Sequence, residues 1–519
     1  MPSYLHPGVY IEEIPSGSKP IEGVSTSVTA FVGAAFRGTA NTPVLIGSWD
    51  EYVAQFGDYS QSTGIEDVTG GLDDMGLAVL SFYQNGGKAA YICRMLQQTP
   101  APAAASVTLA DSLAADVLTV TASSEGTWAN SLLVRITGHS STSTFDLEIG
   151  FETDSSGDLV ALSGEKFTGL SMIDTDDNFV EKVVNSSSKL VQVAVISAAT
   201  TLPDDTASGG TGLNGTTAGS EAAAGATDYM SFYDDTLRKY RDVSIIVLPG
   251  QQWPAAGTGN QFISNTISHC ESTMSRVVIV DPENTEFTDG AQVDTMSFPT
   301  STYSVLYYPW VQIPNPLYSA DNNPTASKTV AIPPSAIAAG MWAKIDGKRG
   351  VWKAPAGVET RISVSALEQQ VEDLEQDYLN PRGVNCIRKR PGYGPVFWGS
   401  RTLATKADPE WRYVPVRRTA IYLEQSIYNG IQWAVFEPND HPLWSSLRAN
   451  IGSFMNGMFR AGAFQGKTAD EAYFVRCGLG DTMTQGDIDR GQVIIVVGFA
   501  PLKPAEFVIL RLQQKVGQQ

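Results

Sequence analysis

Ala461–Thr468 reads AGAFQGKT, a stretch that approaches a phosphate-binding loop. A Walker A loop, GxxxxGK[ST], wraps backbone N–H groups around phosphates while its lysine reaches the β- and γ-phosphates and its hydroxyl holds magnesium. Here Ala461 stands at the first glycine position, and Gly462 lies one residue too near the lysine. Such a cradle also needs a strand running in and a helix running out, so that the helix N-terminus faces the phosphates. The surrounding sequence has the opposite order, with a helix before and the strand-like EAYFVRC after. A P-loop-like NTPase using Lys467 and Thr468 stands as the alternative reading, and a nucleotide-binding measurement separates it.

Other chemistry is sparse. Cys93, Cys270, Cys386 and Cys477 form no CxxC pair, so neither a zinc site nor a disulfide framework is signalled, and buried free thiols are expected. His6, His139, His269 and His441 are equally scattered, without HExxH or another ligand spacing. The adjacent carboxylates Glu12 with Glu13 and Asp176 with Asp177 have no nearby His or Cys in a nucleophile's setting. Asn185-Ser186-Ser187 matches a glycosylation sequon, which means little without a secretory signal. The expectation is no catalytic residue, no metal and no cofactor: a structural protein, not an enzyme.

With 519 residues and 42% hydrophobic content, the chain can build a sizeable core in two to four domains. Against 55 acidic residues stand 35 basic ones, a formal charge of −20, which argues against nucleic acid or an anionic membrane as partner. The opening MPSYLHPGVYIEEIP has neither a basic n-region nor a long apolar run, so synthesis and assembly are expected in the cytoplasm. Val493–Leu502 is too short to span a bilayer and contains Gly498 and Pro501, so direct membrane insertion is not expected. We read this run as a buried strand.

From Ile21 to about Gln97, apolar segments alternate with Gly and Pro, as strands and helices do in an α/β layer. At about 98 the composition shifts to Ala, Ser, Thr and Gly, and the shift closes with GGTGLNGTTAGSEAAAGAT after Ser208. Residues 98–226 therefore read as an inserted β-rich domain, with LLVRITG and FDLEIGFE as one-sidedly solvated strands and its Gly- and Ser-rich ends as flexible linkers. Its Ser and Thr content also permits a carbohydrate- or surface-binding module. VSIIVLPG, VVIVDPE and YSVLYYPW then continue the core, and strands with helical spacers imply a parallel sheet covered on both faces.

ALEQQVEDLEQDYL carries Leu367, Val371, Leu374 and Tyr378 at helical spacing, with an acidic opposite face that reads as solvated. A helix from about Pro415 is expected to run on to Pro438. A further helix begins at Pro442, with Trp444, Leu447, Ile451, Phe454 and Met458 as its apolar stripe. No acid occurs from Pro442 to Lys467, so Arg448, Arg460 and Lys467 make this the net-positive helical stretch of an acidic chain. They would either face an acidic partner or make ordinary internal pairs.

Termini are normally polar and frayed, yet both ends here carry strand-like runs. Val9 and Ile11 alternate with Tyr10 and Glu12 after Pro7-Gly8 and before a Pro15–Pro20 tether. Phe507, Ile509 and Arg511 alternate with Val508, Leu510 and Leu512 behind Pro501 and Pro504. An isolated strand leaves its N–H and C=O groups unpaired, so each end must join a sheet, in its own chain or in a neighbour's. The expected fold class is α/β: a core sheet layered with helices, an inserted β-rich domain, and extended N- and C-terminal strand arms. The corresponding boundaries are 1–20 arm, 21–97 core, 98–226 insert, 227–500 core and 501–519 arm.

Several separate blocks resemble the tail sheath proteins of contractile phage tails and phage-tail-like injection systems. They are YLHPGVYIEE, EGTWANSLLVRI, LNPRGVNCIRKRPGYGPVFWGSRTLA, WRYVPVRRTAIYLEQSI, AVFEPNDHPLW and DIDRGQVIIVVGFAPLKPAEFVILRL, in the family's order. Single-chain sheaths of extracellular injection systems are the most similar, while the length and Gly-rich close of the insert depart from the pattern. The resemblance implies a helical homopolymer of stacked rings around an inner tube protein, contacting baseplate and terminal cap proteins. It implies that both arms pair in neighbouring subunits, that contraction of a metastable state drives the tube through a target envelope, and that Arg448, Arg460 and Lys467 face the tube. It places the particle in a phage tail or a phage-tail-like particle assembled in a bacterial cytoplasm and released extracellularly in some systems.

Overall fold

The computed structural model describes residues 20–58, 71–138, 143–196, 199–321, 323–404, 408–507 and 509. The chain falls into two compact units, a small one drawn from Met1–Val24 and Tyr422–Leu502, and a large one from Ser25–Ile421 and Lys503–Gln519.

The large unit is built on an eight-stranded sheet. Its strands are β1 (Thr29–Gly33), β2 (Val44–Ile46), β3 (Ala90–Arg94), β4 (Ile245–Val247), β5 (Val277–Val280), β6 (Ser304–Tyr308), β7 (Val384–Arg390) and β8 (Gly394–Phe397). Their order is β2-β3-β1-β4-β5-β6-β7-β8. Neighbours from β3 through β7 pair in parallel, and antiparallel β2 and β8 close the two edges. Every residue of β1, β4, β5 and β6 is buried, which a strand achieves only when both faces of its sheet are covered.

Carboxylates at the starts of two helices fix part of that cover. Asp73 caps α1 (Asp74–Gln84), accepting the Gly76 N–H at 2.6 Å and the Tyr52 hydroxyl at 3.3 Å. The helices α2 (Ala226–Asp235) and α3 (Gln261–Thr273) meet through Tyr233 and Thr266, whose hydroxyls lie 2.7 Å apart. Asp281, just past β5, accepts the N–H and hydroxyl of Ser335 at 3.0 and 2.5 Å, where α4 (Ser335–Arg349) begins. Burial pushes both Asp73 and Asp281 up to about 7. Where α1 and α4 touch, a Cβ on Gly340 would stand 2.4 Å from the Phe82 carbonyl oxygen, so this contact requires glycine.

Between β3 and β4 the described residues make two larger antiparallel sheets and a small two-stranded one, Glu152–Thr153 with Leu159–Val160. Of the larger two, one orders Lys166–Leu170, Phe145–Gly150, Leu133–Thr137 and Thr211–Gly212, and the other Val191–Val195, Asp116–Ala122 and Ser106–Ala110. They enclose a second core that includes Val120, Leu132, Val134, Leu147 and Val191. The Gly-rich close is not a loose linker. Thr211–Gly212 is a ladder strand, Ala103 and Ser220 exchange hydrogen bonds at 2.9 and 3.0 Å, and Gln97 N–H reaches the Ala222 carbonyl at 3.0 Å. A Cβ on Gly219 would fall 2.1 Å from the Gly126 carbonyl oxygen, so glycine here serves close backbone approach. Buried Arg94 locks the entry, donating to the carbonyls of Ala35, Gly38 and Glu125 at 3.0, 2.8 and 2.8 Å and to the Glu221 carboxylate at 2.6 Å.

ALEQQVEDLEQDYL is not one helix. Ala366–Leu367 pairs as a strand with Val311–Gln312, and only Asp373–Leu379 is helical, started by a capping box between Glu372 and Glu375. Leu374 is consequently exposed while Leu379 is buried. Likewise α5 (Val414–Gly430) stops at Gly430, well short of Pro438, and gives way to a 3₁₀ turn at Gln432–Ala434. All four cysteines are buried and free.

Candidate assembly interface

The small unit is organised by α6 (His441–Arg460). Asp440 caps it by accepting the His441 N–H at 2.6 Å, and Pro442 sits in its first turn. Its buried stripe, Leu443, Trp444, Leu447, Ile451, Met455 and Met458, includes four of the five residues expected from spacing; Phe454 lies at the margin, half-buried. Leu443, Trp444 and Leu447 share a small core with Cys477 and Met483.

Against this helix lies a two-stranded antiparallel ribbon, Tyr473–Arg476 with Val496–Phe499. The expected strand over Val493–Leu502 is thus four residues long and is not buried: Val496 is 43% exposed, and its partner strand's Phe474 is 46% exposed. A ribbon has only two faces and one partner per strand. One face rests on the unit through Phe464, whose ring meets those of Tyr473 and Phe499, and through the Tyr473 hydroxyl, 3.3 Å from the Gly452 carbonyl. The other face is open.

The edges are open as well. Ala500 N–H donates to the Ala472 carbonyl at 2.8 Å, and the Tyr473 N–H turns back to Ala469, so Tyr473 and Phe499 are a non-hydrogen-bonded pair. By the alternation of an antiparallel ladder, Val475 and Val497 turn their N–H and C=O groups outward, one to each edge. Among the described residues neither edge carries a third strand, and only the Pro501 end is touched, by Phe464.

The arm residues are placed as follows. Val9, Tyr10, Ile11 and Glu12 lie outside the described residues, as do Val508, Leu510, Arg511 and Leu512. Phe507 and Ile509 are described, belong to no strand, and are 76% and 78% exposed. Arg448, Arg460 and Lys467 are all exposed, but they do not share one face. Twelve residues separate the two arginines, about 120° around a helix. Arg460 lies opposite the buried stripe among exposed Ser446, Ala449, Ser453 and Gly457, whereas Arg448 flanks the stripe. The Arg448 guanidinium donates to the Cys477 carbonyl and, at 3.1 Å, to the Ser445 hydroxyl, so it ties α6 to the end of the ribbon's first strand.

The AGAFQGKT segment follows a helix and leads into the four-residue helix Ala469–Ala472. The Lys467 N–H, which a phosphate loop would turn to its ligand, donates to the Glu471 carboxylate at 2.8 Å. Among the described residues no helix is long and apolar enough to cross a membrane.

Residues 222–403 match the family model of the phage tail sheath protein central domain, and residues 406–515 match that of the phage tail sheath C-terminal domain. The chain belongs to the phage tail sheath protein family. A putative prophage major tail sheath protein of Pseudomonas aeruginosa is 25% identical over 251 residues, 47% of this chain and 60% of that protein's length. The helical sheath of the anti-feeding prophage in its contracted state aligns at a TM-score of 0.58 with 24% identity, over 99% of this chain and 100% of the other. The PVC sheath of an extracellular contractile injection system, also contracted, aligns at 0.57 with 23% identity over 99% of each chain. What this sheath-family chain shares with those two structures is the fold. Both ribbon strands are legible as strands in the sequence, but their open edges are not; the available signal is their brevity, since a two-stranded ribbon cannot cover two faces.

Proposed function

We propose that this chain is the sheath subunit of a contractile phage tail or phage-tail-like injection machine, stacking with its own copies as rings around an inner tube. The observation that carries this reading is the ribbon open at both edges, in a chain whose two ends both carry strand-like runs. One neighbour's residues 9–12 would pair along one edge and another's residues 507–512 along the other, completing a four-stranded sheet from three copies. Each four-residue pairing supplies on the order of four backbone hydrogen bonds at about 1 kcal/mol net each, modest singly and repeated around every ring. The Pro-flanked tethers absorb the sliding and rotation of subunits during contraction, which drives the tube through a target envelope without nucleotide.

On this reading the acid-free face of α6, with Arg460 at its end and Lys467 beyond, turns toward the inner tube, and Arg448 serves the ribbon instead. Baseplate and terminal cap proteins bound the polymer, and the 98–226 insert decorates it. Negative-stain microscopy of the full chain and of a chain lacking Met1–Ile14 tests the proposal. Helical tubes from the first and none from the second are expected; globular monomers from the full chain even with its cognate tube would sink it.

A further inference from the structure

Glu506 stands immediately before the C-terminal arm residues, between exposed Ala505 and exposed Phe507. Its side chain nevertheless turns inward and is 15% exposed. Arg401, 9% exposed, meets it with two guanidinium nitrogens, Nε to Oε1 at 2.9 Å and Nη2 to Oε2. The Tyr413 hydroxyl adds a third donor to Oε2 at 3.2 Å. Arg401 is itself held in place: its Nη1 donates to the Asn380 carbonyl at 3.0 Å and its backbone N–H to the Asn385 side chain at 2.6 Å. A forked guanidinium so fixed presents a planar, preorganised seat for one carboxylate.

We propose that Arg401 and Tyr413 form a latch that seizes Glu506 and sets where, and with how much slack, the C-terminal arm leaves the subunit. With the latch closed, the arm begins at Phe507. With it open, the next backbone bridge upstream among the described residues is that of Pro501 with Phe464, so residues 502–506 are released. Five extended residues add about 17 Å of reach. A closed latch aims the arm and removes the entropy of a longer tether before it pairs; an open one supplies chain when subunits move apart. Arg401, Tyr413 and Glu506 are thus positioning residues for arm exchange. This rests on the strand exchange proposed above.

The test uses the full-length chain with Glu506→Ala, and Glu506→Gln as the conservative variant that keeps one acceptor. A spin label at Phe507→Cys reads the arm's root in the monomer; the native thiols are buried and stay unlabelled. The expected line shape is immobilised with Glu506 present, mobile in Glu506→Ala and intermediate in Glu506→Gln, with unchanged melting temperatures. Without the label, Glu506→Ala is expected to raise the concentration for half-maximal tube formation on the order of tenfold or more. A label equally mobile with and without Glu506, or an unchanged assembly concentration, would overturn the latch. Absence of tubes from the unsubstituted chain, together with a Glu506-dependent line shape, would overturn the sheath reading and leave the latch standing.

Discussion

Val277–Val280 and Val496–Phe499 are both four-residue strands rich in valine, yet every residue of the first is buried and none of the second is. The first, β5, lies between two parallel partners in a sheet whose edges are closed by antiparallel strands. The second has one partner and one covered face. Local apolarity sets the tendency to extend; neighbours decide whether an extended run becomes core or stays available. In the large unit the sheet is finished within the chain, and in the small unit, among the described residues, the ribbon keeps both edges unpaired.

Ion pairs sharpen that contrast most. Asp346 and Arg418, 5% and 4% exposed, bond through both guanidinium arms, and Thr26 donates to the same carboxylate at 2.6 Å. Asp346→Ala leaves a buried arginine unpaired and is expected to cost about 3–5 kcal/mol in urea denaturation. The small unit's Arg476 and Asp481, 3.9 Å apart and more than half exposed on average, should lose less than about 1 kcal/mol on Arg476→Ala. Equal costs at the two sites would erase the distinction between units.

Protonation comes next in size. Burial raises both Asp73 and Asp281 from 3.8 to about 7. A carboxyl that holds its proton more tightly folded than unfolded adds stability below its unfolded value and loses that contribution as pH rises through 7. Between about pH 5.5 and 7.5 each should withdraw about 2 kcal/mol from the large unit. Asp281→Asn, which keeps an acceptor for the Ser335 N–H, should remove about half of that slope. A slope unaltered by the substitution would mean that Asp281 titrates normally.

Valine truncation isolates burial itself. Val278→Ala, at a fully buried position of β5, should cost about 2 kcal/mol, while Val496→Ala should stay under about 0.5 kcal/mol. Similar losses would show that the ribbon face is covered in the monomer.

Much of this was legible in the residues. The runs VSIIVLPG, VVIVDPE and YSVLYYPW did become parallel strands, because continuous β-branched and aromatic stretches separated by helices have no other way to bury both faces. Period alone misled at Leu374, where a capping box at Glu372 set the helix start and a strand pairing claimed Leu367. Glycine content misled after Ser208, where close backbone approach looks the same in sequence as slack. The Arg401–Glu506 contact joins residues 105 apart, and nothing in either one's local sequence names the other.

A small expected change in stability goes with the largest expected change in assembly, at the ribbon edge. Val497 turns its N–H away from the ladder, so Val497→Pro deletes a donor that has no backbone partner among the described residues. Fixing φ strains an extended residue, but the cost should remain within about 1 kcal/mol because no hydrogen bond among the described residues is lost. Phe474 faces inward by the same alternation, paired with Gly498. Phe474→Pro therefore removes a ladder bond and should loosen the ribbon itself. If the outer edge receives a neighbour's arm, Val497→Pro monomers melt like the unsubstituted chain yet form no tubes, while Phe474→Pro monomers fail in both measurements. Tubes from Val497→Pro at ordinary concentrations would mean that this edge stays open in the polymer and that the arm pairs elsewhere.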